Sequence, residues 1–458
     1  MIIPLVILNQ GLDMFSRRSF VRRGLALSVI GSTFPRPGFS ASTKPKVKSI
    51  IFLHQFGGPS QMDTFDLKPN APDAYRGPLK GISSVVPSLP IGEMLPDMAK
   101  VMDRVTIVRS VHHEMKNHNS AAYYSLTGYS PPTDDQRLRD TMDLFPAYGS
   151  VVSKFKGAAN GLPPFISFPH VIRDGSVTPG QHASFMGKTY DPFFIGQDPN
   201  SPDFSLPELV LPTGLNPERI SNRKEMMGII DSETKILEKS FKAKGIQDNY
   251  DRAHEMLTSK SIRSAFDISA EPARIRERYG RTTYGQSCLL ARRLVEAGAT
   301  FINVYFAPFI GGCQGGWDTH GFQDKPMYPI MKNYLLPITD KTLPTLILDL
   351  EERGLLDSTL IFWAGEFGRT PKINNLSGRD HWPQCYTVLF AGGGVKKGFV
   401  YGASDSKGAF PSTDPVRPED LSATLFHLLG INPATEIKNN FNRPFPISTG
   451  RVIDRILA

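Results

Sequence analysis

Two apolar segments of this chain run into metal-binding side chains, and this pattern constrains the fold more than any other feature. The segments are Leu360–Ala364 and Phe301–Phe306, both rich in aliphatic and aromatic residues. Apolar runs of this length predict buried central strands. The side chains that follow them are Glu366, His381, Asp318 and His320. Open α/β sheets bind ligands just beyond the carboxyl ends of their strands, so carboxylate and imidazole groups there predict a metal site at a sheet edge.

The rest of the chain indicates an α/β fold. Two further strands are predicted over Val47–His54 and Val105–Ser110. After residue 285, predicted strands alternate with helices that end at Gly298, Gly354 and Gly430. Such alternation predicts a mainly parallel central sheet with helices on both faces.

The domain organisation follows from these segments. We predict a signal and linker over residues 1–43 and a single domain over residues 44–458. Within the domain, residues 160–285 are first rich in Pro and Gly and then polar with a helical rhythm. Because they lack long apolar runs, we expect them to form a loop-rich and helical insertion or cap.

Charge and cysteine content exclude several classes of protein. The formal net charge is +8, but residues 1–43 hold five Arg and one Asp, so half of that excess lies outside the predicted domain. The remaining basic residues are scattered, which argues against nucleic acid as a partner. Three Cys are too few for a disulfide framework. Cys313, in the glycine-rich loop before Asp318, is either a further ligand or an ordinary thiol.

The start of the chain has the features of an export signal. Arg17 and Arg18 form a twin-arginine motif, and Leu25–Gly31 is a short, weakly apolar core. This core is too short to span a bilayer, and the alternative is a basic amphipathic helix. Both Met1 and Met14 stay open as the start, since residues 1–13 add nothing to the signal. We expect export by the twin-arginine route to the periplasm or cell envelope, with no transmembrane span in the mature chain.

Three segments are similar to the alkaline phosphatase/sulfatase superfamily. Leu350–Phe362 is similar to the helix and strand that precede the superfamily's Asp-His metal motif. Asp420–Ile431 resembles the superfamily's C-terminal helix, and Ser120–Gly128 resembles the helix behind the sulfatase nucleophile. The resemblance implies an alkaline phosphatase-like fold that binds divalent metals and acts on phosphate or sulfate esters.

More closely, the chain resembles domain-of-unknown-function family 1501, a family of exported bacterial proteins, over roughly residues 45–450. The segments that carry this resemblance are Gly57–Asp66, Leu290–Gly298, Trp317–His320 and Gly365–Pro371. The chain departs from the superfamily's enzymes at three positions. His118 stands where sulfatases carry the cysteine that becomes formylglycine, and Phe367 stands where the enzymes have a metal-binding His. His54, rather than Asp, ends the first strand, so the resemblance implies a rebuilt or partly lost metal site.

The strand-end positions and the resemblance together predict one or two bound divalent metal ions, with Zn, Ca and Mn as candidates. The predicted ligands are Asp63, Asp318, His320, Glu366 and His381. Asp318 and His320 are two residues apart, so an extended backbone directs both to the same side. Asp380 is expected to orient a ring nitrogen of the neighbouring His381.

Each predicted ligand has a structural alternative. Asp63 would serve equally as a cap for the turn that precedes it. Glu366 would form a buried ion pair with Arg369. Asp318 would stabilise its loop, and His381 would pack against its aromatic neighbour.

The predicted catalytic residues are His118, Ser120 and Arg369. His118 or Ser120 would supply the nucleophile or base, and Arg369 would hold the anion through its planar guanidinium. His118 and Ser120 lie where a helix should begin, so helix capping is the alternative role. We predict an exported metal-dependent hydrolase of phosphate or sulfate esters whose partner is an anionic ester or an envelope polysaccharide. The alternative is a non-catalytic binding or assembly protein of the cell envelope that keeps the fold with an altered metal site.

Replacing Arg17 and Arg18 together by Lys should leave the precursor in the cytoplasm, because the arginine pair is the element that the twin-arginine route recognises. Cell fractionation followed by immunoblotting measures the distribution of precursor and mature chain. Arg36→Lys, outside the motif, is the matched control and should be exported normally. Export of the double variant at the wild-type level would contradict the predicted localisation.

Overall fold

The computed structural model describes residues 45–157, 161–206, 259–306, 309–310, 313–314, 316–322 and 326–458. The chain divides into two units, Met1–Ala41 and Ser42–Ala458. The first unit and the segment 207–258 lie outside the described residues, so the export signal and the middle of the expected cap stay predictions. No helix in the described ranges is both long and apolar enough to cross a membrane.

An eight-stranded sheet organises the domain. Its strands, in chain order, are β1 (Ser49–His54), β2 (Val105–Val111), β3 (Phe165–Phe168), β4 (Phe193–Phe194), β5 (Phe301–Tyr305), β6 (Thr359–Ala364), β7 (Tyr386–Gly392) and β8 (Phe399–Tyr401). Their order across the sheet is β8-β2-β7-β6-β1-β5-β3-β4. Neighbours pair in parallel except at β7, which is antiparallel to both β6 and β2. The predicted α/β class with a mainly parallel central sheet is confirmed.

Helices cover both faces of this sheet. Those of seven or more residues in the described ranges are α1 (His118–Thr127), α2 (Tyr148–Lys156), α3 (Lys260–Phe266), α4 (Ala273–Tyr279), α5 (Thr283–Glu296), α6 (Leu336–Glu352) and α7 (Pro418–Leu428). Shorter helices include Asp73–Arg76, Pro96–Ala99 and Met327–Ile330. Two-stranded pairs join Gly81–Ile82 to Ile91–Gly92, Arg173–Asp174 to Ser176–Val177, Phe309–Ile310 to Cys313–Gln314, Gly368–Arg369 to His381–Trp382, Ala403–Ser404 to Pro411–Thr413, and Glu436–Lys438 to Pro444–Pro446.

The central strands are buried on both faces, so alternate residues contribute to two separate cores. In β1, Ile51 and Leu53 belong to one core, and Ile50 and Phe52 belong to the other. Residues of α5 and α6 complete the first core, whereas α1, α2 and α7 complete the second. Each large apolar side chain that is fully buried contributes about 1.5–3 kcal/mol. This double burial explains why the strand segments are apolar throughout rather than alternating with polar residues.

Two features of the sheet add detail to the sequence analysis. β3 lies within residues 160–285, where we expected a loop-rich and helical segment, and it pairs in parallel with β5 inside the main sheet. β7 runs against its neighbours, because the described connection from β6 to β7 contains no helix that would return the chain for a parallel pairing.

The strands bring one set of ends to a single edge. His54, the last residue of β1, is level with Tyr305 of β5 and Ala364 of β6. β7 is antiparallel, so its first residue, Tyr386, reaches the same edge and pairs with Val111 at the end of β2. Residues that follow β1, β2, β5 and β6, and residues that precede β7, therefore converge there.

A close approach of α1 and α7 holds the second core together. Gly128, after the last residue of α1, has φ +71°, and a Cβ atom there would lie 2.3 Å from Ser422 Cβ on α7. Both the left-handed conformation and the lack of space require glycine at this helix end.

A buried ionic network ties α5 to its neighbours. The Arg292 guanidinium is fully buried and lies 2.9 Å from Glu271 Oε2 and 2.9 Å from Asp349 Oδ2. It also lies 2.6 Å from Glu296 Oε2, one turn further along α5. Because Asp349 belongs to α6 and Glu271 precedes α4, one arginine joins three elements on this face of the sheet.

Replacing Arg292 by Ala should lower the free energy of unfolding by about 3 kcal/mol, because the buried Glu271 and Asp349 carboxylates would each keep only one of their two arginine partners. Urea denaturation followed by circular dichroism measures the change. The control is Arg278→Ala, which removes a more exposed pair with Glu352 and should cost about 1 kcal/mol or less. Equal losses in the two variants would contradict the assigned role of Arg292.

Candidate metal centre

Local packing brings the polar residues of the sheet edge into contact. Asp318 is held beside β1 because Trp317 is buried, with its backbone N–H donating to Phe56 O at 3.0 Å and its indole N–H donating to Gln55 Oε1 at 3.2 Å. His381 is fixed by the two-stranded pair that places it opposite Arg369. His118 is the first residue of α1, which follows β2 through a short loop.

One carboxylate oxygen lies at the centre of the cluster. Asp318 Oδ1 lies 3.2 Å from His118 Nε2, 2.8 Å from His320 Nε2 and 3.1 Å from His381 Nε2. It also accepts a hydrogen bond from Arg369 Nη2 at 2.8 Å. His320 Nε2 and His381 Nε2 are themselves 3.0 Å apart. Three imidazole nitrogens therefore lie around one carboxylate oxygen.

The opposite nitrogen of each imidazole has its own partner. His118 Nδ1 lies 2.7 Å from Glu366 Oε1, and His320 Nδ1 lies 2.9 Å from Asp380 Oδ1. His381 Nδ1 lies 2.8 Å from Lys116 O. Carbonyl and ionised carboxylate oxygens only accept, so these contacts assign the proton of each neutral ring to Nδ1. The three Nε2 lone pairs then lie within 3.2 Å of the Asp318 oxygen, and a cation or a shared proton would relieve the resulting repulsion.

This donor set fits a divalent metal ion. Ligand atoms of His118, Asp318 and His381 lie within 4.8 Å of one another, and His320 adjoins the latter two. Imidazoles whose far nitrogen is held by a carboxylate or carbonyl are the usual arrangement of metal-binding histidines. Three nitrogens and one oxygen favour Zn²⁺ over Ca²⁺, which prefers all-oxygen sites.

Without a metal, a proton on His118 compensates the carboxylates. Burial lowers the pKa of His118, but the hydrogen bonds and charges of Asp318 and Glu366 outweigh it and raise the pKa to about 9. Burial alone would raise the pKa of Glu366, yet His118 lowers it below its usual value. Burial, together with the charges of His118 and Arg369, lowers the pKa of His381 to about 4 despite its contact with Asp318. The His118 imidazolium therefore provides positive charge where a metal ion would bind.

An aromatic wall orients two of the imidazoles. The Phe367 ring stacks on the His381 ring with centroids 4.3 Å apart, and it lies 5.1 Å from the His118 ring. Phe56 lies 5.1 Å from His118 on another side. A Cβ atom at Gly58 would lie 2.6 Å from Phe367, so glycine is needed for this packing. The buried Phe367 ring thus closes the back of the site to water.

Glu366 lies behind the cluster rather than at its centre. It is fully buried, and its Oε1 accepts from Gly57 N at 2.8 Å and contacts His118. Its Oε2 has no hydrogen-bond partner in the described part of the chain. Of the predicted ligands, Asp318, His320 and His381 contact one another. Glu366 does not contact them directly, because the His118 ring lies between.

Asp63 occupies a different place from the one predicted. Its Oδ2 accepts from Arg379 Nε at 2.8 Å and from Ser60 Oγ at 2.5 Å, and both the Asp63 and Arg379 side chains are fully buried. The carboxylate is compensated by that arginine and does not join the His-Asp cluster. Sequence reasoning overlooked Arg379 because nothing in its neighbourhood marks it as buried.

Two of the predicted catalytic residues have structural roles instead. The Ser120 hydroxyl lies 2.9 Å from Thr133 O and 3.1 Å from Asp135 O, and it accepts from Asp135 N at 2.8 Å, so it anchors a loop rather than facing the cluster. The fully buried Arg369 guanidinium donates to several backbone carbonyls besides Asp318. These are the carbonyls of Gly57, Gly58, Trp317 and Arg379. Arg369 therefore positions Asp318 and has no open face for a substrate anion.

The sequence also concealed three contributions to the site. The Lys116 carbonyl that holds His381 has no sequence signature, because any residue supplies a carbonyl. Asp380 orients a histidine as expected, but its partner is His320 rather than its neighbour His381. His113, which we did not assign to the site, lies with Nε2 2.6 Å from Glu366 O and fixes that backbone. Cys313 has no described side chain, so its candidacy stays open.

Comparison with known proteins gives one family and several distant structures. The family model described as "Protein of unknown function (DUF1501)" matches residues 47–457. No curated protein matches the chain.

Several solved structures resemble this one. One is a protein in the alkaline phosphatase superfamily from Vibrio parahaemolyticus, which is 12% identical in sequence. The match covers 91% of this chain and 72% of that chain, with a TM-score of 0.41. The lipoteichoic acid synthase LtaP from Listeria monocytogenes has 10% identity, coverage of 85% and 73%, and a TM-score of 0.40. A phosphonate monoester hydrolase of Agrobacterium radiobacter has 11% identity, coverage of 90% and 77%, and a TM-score of 0.36. At such identities the activities of those proteins do not carry over to this chain.

Removing divalent metal with a chelator should lower the melting temperature of the protein. A ligand that binds only the native state stabilises it by about 4 kcal/mol when its concentration is a thousand times its Kd. Differential scanning calorimetry with and without chelator, together with elemental analysis, measures this linkage. His381→Ala should lose both the metal and the chelator effect, because one of four donors is missing.

The control for that experiment is His182→Ala, whose ring pairs with Asp140 away from the cluster and should leave the chelator effect intact. Protein purified without chelator that contains no metal and shows no chelator effect would contradict the metal centre.

Proposed function

Because the chain belongs to the DUF1501 family, whose function is unknown, we infer its activity from the site. We propose that the protein is a metal-dependent hydrolase of phosphate or sulfate esters. The observation that carries the proposal is the convergence of three Nε2 atoms on Asp318 Oδ1. A metal ion bound there would neutralise the charge of an anionic ester oxygen and lower the pKa of a bound water. The donor set supports Zn²⁺ as the first candidate and Mn²⁺ as the second.

The cluster is open on one side only. The side chains of Asp318, His320 and His381 are 20%, 16% and 20% exposed, whereas those of His118 and Glu366 are 7% and 0% exposed. A substrate anion would therefore approach over Asp318 and the two more exposed histidines. The buried side, lined by Phe367 and Glu366, lowers the local dielectric and strengthens charge interactions in the site.

The chain's own residues act by positioning and by holding protons. Glu366 and Asp380 keep the protons of His118 and His320 on Nδ1, and Lys116 O does the same for His381. Since Ser120 is engaged with a loop, the proposal takes water as the nucleophile rather than a covalent step. His118 would have to be neutral to hold a metal ion through Nε2, and its Nε2 proton would then be released to solvent on the open face beside Asp318.

A non-catalytic envelope protein is the second candidate, and a specific observation favours it. Arg369, the residue expected to hold the substrate anion, donates to backbone carbonyls and to Asp318. A site without that clamp would bind a metal for structural reasons alone. In that case metal would stabilise the fold without turnover of any ester.

The proposed location is the periplasm or cell envelope. The twin arginines Arg17 and Arg18 support it, and an anionic ester or an envelope polysaccharide would be the substrate there. A route that exports folded chains also suits a centre assembled from distant parts of the sequence.

Hydrolysis of 4-nitrophenyl phosphate or 4-nitrophenyl sulfate should appear when Zn²⁺ or Mn²⁺ is added to chelator-treated protein. Asp318→Asn should reduce kcat/KM by more than about 100-fold, because the substitution removes the central charged ligand. Glu366→Gln should cost about 10- to 100-fold in metal affinity or activity, the usual effect of losing a partner of a metal-binding histidine. Release of 4-nitrophenol, followed by absorbance, measures turnover.

Asp357→Asn is the matched control, since that carboxylate is 89% exposed and outside the cluster, and it should behave as wild type. Metal binding with chelator-sensitive stability but no turnover of either ester would contradict the hydrolase and support the binding protein.

A further inference from the structure

An open groove of about 490 Å³ adjoins the metal centre. The two sites share Asp380, which lines the groove and contacts His320 Nδ1 through Oδ1. Trp382, the residue after His381, forms part of the same groove. A molecule bound here would lie directly beside the open side of the cluster.

Aromatic side chains form one wall of the groove. The rings of Trp382 and Phe410 are inclined at 63° with centroids 5.7 Å apart, and Phe410 is 52% exposed. Tyr75 lies under the ammonium group of Lys407, which is 5.3 Å from the ring centroid. A half-exposed phenylalanine next to a tryptophan offers an apolar surface for the face of a ring-shaped ligand.

The aromatic wall is held rigidly. Asp405 Oδ1 accepts from Lys407 N and Ala409 N at 2.9 Å each, and Asp405 Oδ2 accepts from Phe410 N at 3.2 Å. Trp382 Nε1 donates to Ala409 O at 2.7 Å, which joins this loop to the strand that carries His381. A surface fixed in this way loses little conformational entropy when a ligand binds.

The opposite wall is fixed as well. Asn374 Nδ2 donates to His320 O at 3.0 Å and to Asp380 Oδ1 at 3.2 Å, so the loop that follows Lys372 is tied to the metal centre. Asn374 Oδ1 in turn accepts from the backbone N–H groups of Leu376 and Gly378.

The charges of the groove select its ligand. Lys372 and Lys407 provide two ammonium groups, and neither forms an ion pair within the described part of the chain. Asp380 is 53% exposed, and its Oδ2 has no hydrogen bond to any described residue. The lysines favour an anion, whereas the carboxylate needs a hydroxyl or amide donor on the ligand. An aromatic anion lacks that donor, but a hydroxylated ring that carries anionic groups has both.

We propose that this groove binds an anionic saccharide, a sugar ring that stacks on Phe410 and Trp382 while Lys372 and Lys407 contact its sulfate, phosphate or carboxylate groups. The proposal deepens the proposed function, on which it rests for the identity of the reacting ester, by assigning a glycan as the group that carries the ester. Asp380 would accept a hydroxyl of the same sugar. Binding itself needs only the groove, so it is separable from turnover.

Isothermal titration calorimetry of the metal-loaded mature chain with a chondroitin 4-sulfate octasaccharide tests the groove. Phe410→Ala and Lys407→Gln should each weaken binding by about tenfold or more, because the variants remove the stacking surface and one ammonium group. Lys372→Gln provides a second test of the charge. Phe441→Ala and Lys438→Gln are matched controls at exposed positions outside the groove and should bind as wild type.

Two further ligands separate saccharide recognition from simple charge attraction. Neutral maltooctaose should bind at least about tenfold more weakly than the sulfated octasaccharide. Polyphosphate of equal charge should lose affinity in Lys407→Gln but not in Phe410→Ala, because it has no ring to stack. No binding of the sulfated octasaccharide, or wild-type affinity in Phe410→Ala, would overturn the proposal.

Chelator-treated protein distinguishes this proposal from the hydrolase. It should lose turnover of 4-nitrophenyl esters and still bind the octasaccharide, and Phe410→Ala should weaken that binding by about tenfold, as in the metal-loaded chain. Groove binding without turnover in the wild type would contradict the proposed hydrolase and retain the saccharide proposal. Turnover without groove binding would contradict only the saccharide proposal.

Discussion

The structure of the site depends on the charge of one carboxylate. Asp318 Oδ1 contacts the guanidinium of Arg369 and three imidazole nitrogens. Arg369 in turn holds the loops after β1 and β5 through their carbonyls, so the same ionic contact that places Asp318 also fixes the sheet edge. Loss of that negative charge would leave a buried arginine without its compensating anion, which is among the most destabilising changes a protein core can undergo.

The imidazoles show how the chain prepares this carboxylate for a cation. In each of the three cluster histidines Nδ1 has an acceptor, and Nε2 lies within 3.2 Å of Asp318 Oδ1. A protonated His118 satisfies the arrangement in the absence of metal, and its raised pKa of about 9 reflects the two carboxylates on either side of it. Glu366 keeps its negative charge in a fully buried position for the same reason. A protonated His118 therefore supplies, in the metal-free protein, part of the positive charge that a divalent ion would bring.

The sequence predicted those parts of the fold that burial and strand direction determine. Leu360–Ala364 and Phe301–Phe306 are buried strands as expected, and the residues after them meet because parallel strands end at one edge. The direction of β7 could not be predicted, since an apolar run carries no information about the connection before it.

The errors at the site have a related cause. From their residue types we assigned Arg369 to anion binding and Asp63 to metal binding. In the structure Arg369 donates to backbone carbonyls, and Asp63 is paired with Arg379. These partners are about 300 residues away in the sequence, so local sequence patterns do not reveal them.

The spacing of the donors along the chain has a consequence for folding. His118 and Glu366 are 248 residues apart, and Asp318 and His381 are 63 apart, so the centre forms only after long loops have closed. High contact order of this kind slows folding, because the entropy of loop closure must be overcome before the contacts form. No fragment that ends before His381 can contain the complete set of donors. A nascent chain can therefore assemble the centre only after His381 itself has been synthesised.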